Sequence, residues 1–182
     1  METMLDSWNI LATAKERDQR HLVRLLKRFG DFRWTRFLGV LIGRVEDHEA
    51  FFAQLQRHEE DEPGFLHPLA KLVPIEQTFA FTVDTFPVRL KEAVLGYAER
   101  IGSGSFYVRI ERRGGAGEIH SQQLEQELDR TVCDALRARG ETPSVDFKNP
   151  DLIVAVETIG EECGIGVLPR ALRMRYPFVR VP

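Results

Sequence analysis

The chain has 182 residues, of which 43% are hydrophobic and 29% are charged, and its formal net charge is −3. A chain of this size and composition can bury one large core or two small ones, which excludes a disordered chain or a fibre. Its two cysteines, Cys133 and Cys163, are too few for a disulfide scaffold or a tetrahedral zinc site, and we expect both in the core. No segment has the roughly 20 apolar residues of a membrane helix, and residues 1–8 do not resemble a signal peptide. We therefore expect a cytoplasmic protein.

The distribution of the charges is more informative than their sum. The sequence contains 25 basic and 28 acidic residues, whereas a nucleic-acid-binding protein usually has a basic excess. Binding depends on the local field, however, and the charges are segregated. Residues 168–182 contain four arginines and no acid, and a second basic group consists of Arg109, Arg112 and Arg113. The acids are concentrated elsewhere, notably in residues 58–62.

The first seventy residues predict alternating strands and helices. A strand at residues 8–14 precedes a helix at 20–29, whose apolar residues fall on one face. An extended run at 32–45 follows, and Asp47 is a suitable N-cap for a helix that carries Phe51, Phe52 and Leu55. A short strand at 69–74 ends this part of the chain. The pattern is compatible with a ferredoxin-like N-terminal domain, which we assign to residues 1–73.

The remaining residues predict a second α/β unit at 74–182. A polar-apolar alternation at 78–83 precedes a helix that begins at Asp84 or Thr85, with Pro87 in its first turn. A strand at 105–111 is followed by a long helix from Ser121 to about Gly140 with leucine or valine at every fourth position. A short strand near Val145, a buried central strand at 152–156 and a strand at 164–168 complete a mixed sheet. The fold class is therefore α/β, or α+β.

No motif in the sequence carries recognisable catalytic chemistry. The five histidines lack the spacing and the cysteine partners of a metal site. The segment from Gly114 to Gly117 lacks the lysine of a P-loop, and it is either an ordinary connection or a loop whose backbone approaches an RNA phosphate. The acids around Cys163 fit a surface turn better than thiol chemistry. We therefore expect no catalytic residue, no metal and no cofactor, and predict that the protein is not an enzyme.

Three blocks of sequence, in order and at matching spacing, resemble the THUMP domain. They are Phe106-Tyr107-Val108-Arg109-Ile110-Glu111-Arg112-Arg113-Gly114, Val145-Asp146-Phe147-Lys148-Asn149-Pro150-Asp151 and Val154-Ala155-Val156-Glu157-Thr158. The ending, with Val167-Leu168-Pro169-Arg170 and Tyr176-Pro177-Phe178-Val179-Arg180-Val181, is similar to the non-catalytic THUMP adaptors of tRNA cytidine acetylation. The resemblance extends from about Leu72 to the C-terminus.

The resemblance implies tRNA binding, commonly at the acceptor stem and the 3′ end, and delivery of the tRNA to a separate modifying enzyme. The sequence shows neither the cofactor-binding turn of a methyltransferase nor the zinc signature of a deaminase, which favours a stand-alone adaptor. Two alternatives remain open. One is a protein-interaction module without RNA affinity, which the net acidity of the chain favours. The other is a small enzyme with an unrecognised site.

Basic side chains suit the predicted contact because A-form RNA is recognised mainly through its phosphates, its 2′-hydroxyls and its unpaired bases. The candidate RNA-binding residues are Arg109, Arg112, Arg113, Lys148, Arg170, Arg173 and Arg175, and Arg180 and Lys71 are weaker candidates. Each alone is more often an ordinary solvated or ion-paired group. We expect Phe106, Phe147 and Phe178 in the core, and the turn at Asp146, Asn149 and Pro150 to shape the backbone.

Overall fold

The computed structural model describes residues 7–16, 18–115 and 118–182. The chain divides into two compact units. The first comprises the described residues up to Ile75 together with Leu172–Pro182, and the second comprises Glu76–Ala171. Within the described ranges, no helix is both long and apolar enough to cross a membrane.

The first unit contains six elements in the order strand, helix, strand, strand, helix, strand. They are β1 (Ile10–Ala14), α1 (Gln19–Leu26), β2 (Asp31–Trp34), β3 (Val40–Arg44), α2 (His48–Asp61) and β4 (Leu69–Pro74). The strands form an antiparallel sheet in the order β2-β3-β1-β4. This is the ferredoxin-like arrangement expected from the sequence.

The local structure of the first unit follows from capping and turn chemistry. The Asp47 carboxylate accepts a hydrogen bond from the Ala50 N–H at 2.7 Å, which caps α2 as predicted. The extended run predicted at 32–45 is instead a hairpin. The Thr35 hydroxyl donates to the Val40 carbonyl at 2.9 Å, and Gly39 takes the left-handed φ of 74° that reverses the chain.

The last eleven residues belong to the first unit, although the sequence assigned them to the second. The Leu72 N–H donates to the Phe178 carbonyl at 2.8 Å, and Leu72 forms a parallel bridge with Val179. The rings of Tyr176 and Phe178 lie 5.6 and 6.1 Å from the ring of Phe52. The apolar side chains of this ending are thus buried against β4 and α2.

The second unit is built on a mixed five-stranded sheet. Its elements are β5 (Gln77–Ala80), α3 (Phe86–Leu95), α4 (Ala98–Ile101), β6 (Ser105–Glu111), α5 (Ser121–Arg137), β7 (Ser144–Val145), β8 (Leu152–Ile159) and β9 (Glu162–Pro169), and α6 (Arg170–Arg175) leads out of it. The strand order is β5-β9-β8-β6-β7. β6 runs parallel to β7 and β8, whereas β9 is antiparallel to β5 and β8. The predicted mixed sheet with β8 at its centre is confirmed.

The core of the second unit lies between one face of this sheet and the helices. Alternate residues of β6, among them Phe106 and Val108, point to this face, where Leu128, Val132 and Leu136 of α5 also lie. The predicted inner face of α5 is therefore confirmed, although Leu124 is only partly buried. The helix predicted to begin at Asp84 or Thr85 begins at Phe86 and ends at Leu95, and a short second helix begins at Ala98.

Candidate nucleic-acid interface

The strand β6 presents a tyrosine and an arginine on the sheet face opposite the helices. Tyr107 and Arg109 alternate with the core residues Phe106, Val108 and Ile110. The Arg109 guanidinium lies 5.5 Å from the centre of the Tyr107 ring, a cation–π distance. Tyr107 is buried and Arg109 is half-buried, so neighbouring residues restrict the movement of both side chains.

Phe147 lies against this pair and is exposed to solvent. Its ring centre is 5.5 Å from that of Tyr107, yet 65% of its surface is accessible. The expectation that Phe147 is a core residue is therefore wrong, whereas Phe106 is fully buried as predicted and Phe178 is half-buried. The difference arises because Phe147 stands in the turn beyond the two-residue edge strand β7, where no neighbouring strand covers it.

The turn that carries Phe147 is held by side-chain hydrogen bonds. The Asp146 carboxylate accepts the N–H groups of Lys148 at 2.8 Å and Asn149 at 3.2 Å. These two bonds hold the pKa of Asp146 below its ordinary value. Lys148, which follows Phe147 in this turn, is exposed. The predicted turn-forming role of Asp146 is thus confirmed.

Arg170 connects the start of α6 to the same turn. Its Nη2 donates to the Asn149 carbonyl at 2.6 Å, and its Nε donates to the Asn149 side-chain oxygen at 3.1 Å. Its Nη1 pairs with the Asp151 carboxylate at 2.7 Å, and 38% of the arginine side chain remains exposed. The guanidinium is therefore fixed in orientation but still reaches solvent.

These contacts join five residues into one surface, which we call the aromatic–basic platform: Tyr107, Arg109, Phe147, Lys148 and Arg170. Its three cations stand against the two carboxylates of Asp146 and Asp151, so its local charge is positive by one although the whole chain is acidic. An exposed ring flanked by cations can stack on an unpaired base while the cations contact its phosphates.

Two of the predicted RNA-binding residues, Arg112 and Arg113, instead form contacts that stabilise the loop after β6. Arg113 forms an ion pair with Glu157 at 2.5 Å, with side chains only 11% and 1% exposed. Its backbone is also bound, since its N–H donates to the Thr158 hydroxyl at 3.0 Å. Arg112 donates to the Gly115 carbonyl at 2.5 Å. Arg113 is thus placed as a structural group, and residues 116 and 117 of the glycine-rich loop lie outside the described residues.

The remaining two candidates, Arg173 and Arg175, belong to the first unit. Arg175 pairs with Glu49 at 2.9 Å, with both side chains more than half exposed, and its guanidinium lies 5.3 Å from the ring centre of Tyr176. Arg173 is half-buried. The structure therefore brings Arg109, Lys148 and Arg170 together in the second unit and places Arg173 and Arg175 outside it. Arg180 donates to the Ala70 carbonyl at 3.0 Å.

The described residues offer no group of three or more histidine, cysteine or acidic side chains that could hold a metal ion. Cys133 and Cys163 are both buried free thiols, as the sequence predicts. Burial raises the pKa of each thiol above its ordinary value, so both are protonated at neutral pH and are poor nucleophiles.

Sequence reasoning missed a third basic group, which lies in the first unit. Residues 19–44 contain seven lysines and arginines and a single acid, Asp31. A count of charges in short windows identifies this segment without any structure.

Comparison with known proteins supports the family and the fold. The THUMP domain model matches residues 90–168. No curated protein matches the sequence. Among solved structures, TrmN from Thermus thermophilus is similar with a TM-score of 0.63 and 24% identity, covering 88% of this chain and 45% of that one.

Two further structures share the fold at lower identity. PH1313 from Pyrococcus horikoshii has a TM-score of 0.58 and 13% identity, covering 89% of this chain and 54% of that one. A 4-thiouridine synthetase in complex with RNA and ATP has a TM-score of 0.53 and 14% identity, covering 90% of this chain and 42% of that one. The chain thus spans about half the length of these proteins, and it contains a THUMP domain at residues 90–168.

Proposed function

We propose that this chain binds tRNA and presents it to a separate base-modifying enzyme, and that the aromatic–basic platform contacts an unpaired part of the tRNA. The observation that carries the proposal is the position of Phe147. The Phe147 ring is 65% exposed, packs on the buried Tyr107 and is followed by Lys148, and this combination of an accessible aromatic face with a neighbouring cation is what base stacking requires.

The chemistry of the platform fits single-stranded RNA better than a duplex. Side chains cannot read the deep major groove of A-form RNA, so sequence-tolerant recognition relies on stacking against unpaired bases and on phosphate contacts. Phe147 offers an exposed ring for stacking, and the cations are Lys148, which belongs to the same turn, and Arg170, which is hydrogen-bonded to Asn149 of that turn. An unpaired 3′ end presents both bases and phosphates in an accessible form.

Two comparisons support RNA as the ligand. The THUMP match at residues 90–168 includes Tyr107, Arg109, Phe147 and Lys148. One protein with the same fold, the 4-thiouridine synthetase, was solved with RNA. Residues 76–171 contain 16 acidic and 11 basic residues, so the platform is a locally positive surface on an acidic unit, and binding depends on this local field rather than on the net charge of −3.

The adaptor role is the finer part of the proposal. The resemblance of residues 167–181 to the THUMP adaptors of cytidine acetylation supports it. Both thiols are protonated at neutral pH, and the arginines of the platform are suited to holding a nucleic acid rather than to proton transfer. A modification assay with the purified chain, tRNA and common methyl, acetyl and sulfur donors tests this part: transfer to tRNA by the chain alone would contradict it.

The binding site is tested by the Phe147→Ala variant in a gel-shift titration with total tRNA. Loss of one base stack should weaken binding about tenfold, within the roughly 1–3 kcal/mol expected of such a contact. Val88→Ala is the matched control, because Val88 is also an exposed apolar residue of the second unit, at 63%. Equal affinity of the two variants would remove Phe147 from the site.

A further inference from the structure

The first unit has a strong asymmetry of charge along its sequence. Residues 19–44, which comprise α1 and the whole β2–β3 hairpin, contain seven basic residues and one acid. Residues 45–65, which include α2, contain seven acids and one basic residue, Arg57. The two segments fold into one sheet-and-helix unit and meet at one end of α1, where Glu62 lines a cavity with Arg24 and Arg28.

The basic side chains of this region all reach solvent. In α1, Leu22, Leu25 and Leu26 are buried against the sheet, which directs the cations of the helix and of the turn after it outward. The hairpin adds three more exposed arginines, of which Arg44 donates hydrogen bonds to Ser7. The other six exposed cations are Arg20, Arg24, Lys27, Arg28, Arg33 and Arg36, and none of them forms an ion pair with a described residue.

A cleft opens in the middle of this basic region. It has a volume of about 370 Å³ and lies between the start of α1 and the hairpin turn. Arg20 lines one side, and Trp34, Arg36 and Leu38 line the other. Trp34 is 38% exposed and Leu38 is 87% exposed, so both side chains are accessible from solvent at the cleft.

We propose that this α1–hairpin surface, formed by the six cations with Trp34 and Leu38, is a second RNA-binding surface, and that its cleft takes one unpaired nucleotide. The base stacks on the indole of Trp34, and the adjoining phosphates lie beside Arg20 and Arg36. The proposal rests on the proposed function in that the ligand is RNA, but it concerns a different unit and different residues.

The composition of the cleft favours RNA over an acidic protein segment. Indole is the largest aromatic surface available for stacking on a base, and a guanidinium pairs with phosphate through two parallel hydrogen bonds. The volume lies in the range of small-ligand sites, which suits a single nucleotide. Beyond the cleft, Arg24, Lys27 and Arg28 extend the line of positive charge along α1, as a chain of phosphates requires.

Intrinsic tryptophan fluorescence can report on binding at this surface. Of the two tryptophans, Trp8 is 2% exposed and Trp34 is exposed at the cleft. A base stacked on Trp34 should quench its fluorescence, whereas Trp8 is shielded. We therefore expect intrinsic fluorescence of the full chain to fall on titration with total tRNA or with a ten-residue oligouridylate, and the Trp34→Phe variant to lose this response.

Charge variants test the phosphate contacts in the same titration. Arg20→Ala with Arg36→Ala should weaken binding of oligouridylate roughly tenfold and lower the slope of log affinity against log salt by about 1.4. The control is Arg57→Ala with Lys91→Ala, which removes two exposed cations from α2 and α3 and changes the net charge equally. The control should bind as the wild type does.

The outcomes separate this proposal from the proposed function. If Arg20→Ala with Arg36→Ala binds RNA as the control does, and fluorescence does not change, the second surface is overturned while binding through Phe147 stands. If those variants lose binding and Phe147→Ala does not, the second surface stands and the platform fails. Absence of RNA binding by the wild type at low salt overturns both. Capture of polyglutamate that RNA does not displace, and that Arg20→Ala with Arg36→Ala abolishes, overturns the second surface alone.

Discussion

The guanidinium of Arg113 and the carboxylate of Glu157 form an ion pair at 2.5 Å, with side chains only 11% and 1% exposed. The pair joins the end of β6 to β8, and the Gly160 N–H donates to the Arg113 carbonyl at 2.8 Å. Because both charges are removed from water, each depends on the other for compensation. Arg113 is therefore a structural residue of the loop rather than an available phosphate ligand.

The first prediction concerns this ion pair. Replacing Arg113 with Ala removes one member of this buried ion pair, and we expect the free energy of unfolding to fall by about 3 kcal/mol. Chemical denaturation measures the change. Arg112→Ala, which removes a neighbouring arginine with a single hydrogen bond to the loop, should cost less than about 1 kcal/mol. A small loss for Arg113→Ala would show that the pair is not buried in solution.

The second prediction concerns the inner face of α5. Leu128 is 2% exposed and lies in the core of the second unit. Leu128→Ala should reduce the free energy of unfolding by roughly 2–5 kcal/mol, because it leaves a cavity under the helix. The partly buried Leu124 provides the comparison, and Leu124→Ala should cost distinctly less. Similar losses for the two variants would contradict the orientation of α5.

The third prediction concerns pH. Asp129 is 6% exposed, and burial raises its pKa from 3.8 to about 6, although the hydrogen bond from the Val108 N–H opposes the shift. Because the folded pKa lies above the unfolded one, the contribution to stability is complete below about pH 4 and is lost as the pH rises through 6.

Asp129→Asn tests this sign, since the amide oxygen can accept the same hydrogen bond without ionising. Relative to the wild type, the variant should gain about 2 kcal/mol of stability between about pH 4 and pH 7. Unfolding curves for both proteins at the two pH values give the difference directly. A stability difference that is constant with pH would mean that Asp129 ionises as freely in the folded protein as in the unfolded chain.

The fourth prediction separates phosphate contacts from stacking at the platform. Lys148 is exposed, and its side chain can contribute only a salt-dependent contact. Lys148→Ala should lower the salt slope of tRNA binding by about 0.7 to 0.9. Lys91→Ala, which removes an exposed lysine from α3, should leave the slope unchanged. Equal slopes for the two variants would exclude a phosphate contact at Lys148.

Much of the fold can be predicted from the sequence because local patterns specify it. The Asp47 cap, the apolar spacing of α5 and the continuous apolar run of β8 each follow from one segment of the chain. The hairpin within residues 32–45 was not predicted. Its reversal depends on one threonine hydroxyl and one left-handed glycine, which leave little trace in the hydrophobic pattern.

The candidate site is less predictable because it depends on contacts between distant residues. Arg113 and Glu157 are 44 positions apart, so their pairing cannot be read from the sequence. Phe147 is an apolar aromatic residue, which the sequence alone places in the core. Its exposure follows from the position of β7 at the sheet edge. The basic segment at residues 19–44 could have been found by counting charges, but only the structure shows that Trp34 and Arg20 share a cleft.

The central claim is that this chain holds tRNA. The most direct measurement is a filter-binding titration of the full chain against total tRNA and against an unstructured RNA of equal length, at low and at physiological salt. The account predicts binding that prefers tRNA and weakens steeply as salt rises, because phosphates supply much of the affinity. Equal affinity for both RNAs would contradict tRNA recognition, and absence of binding at low salt would contradict the account as a whole.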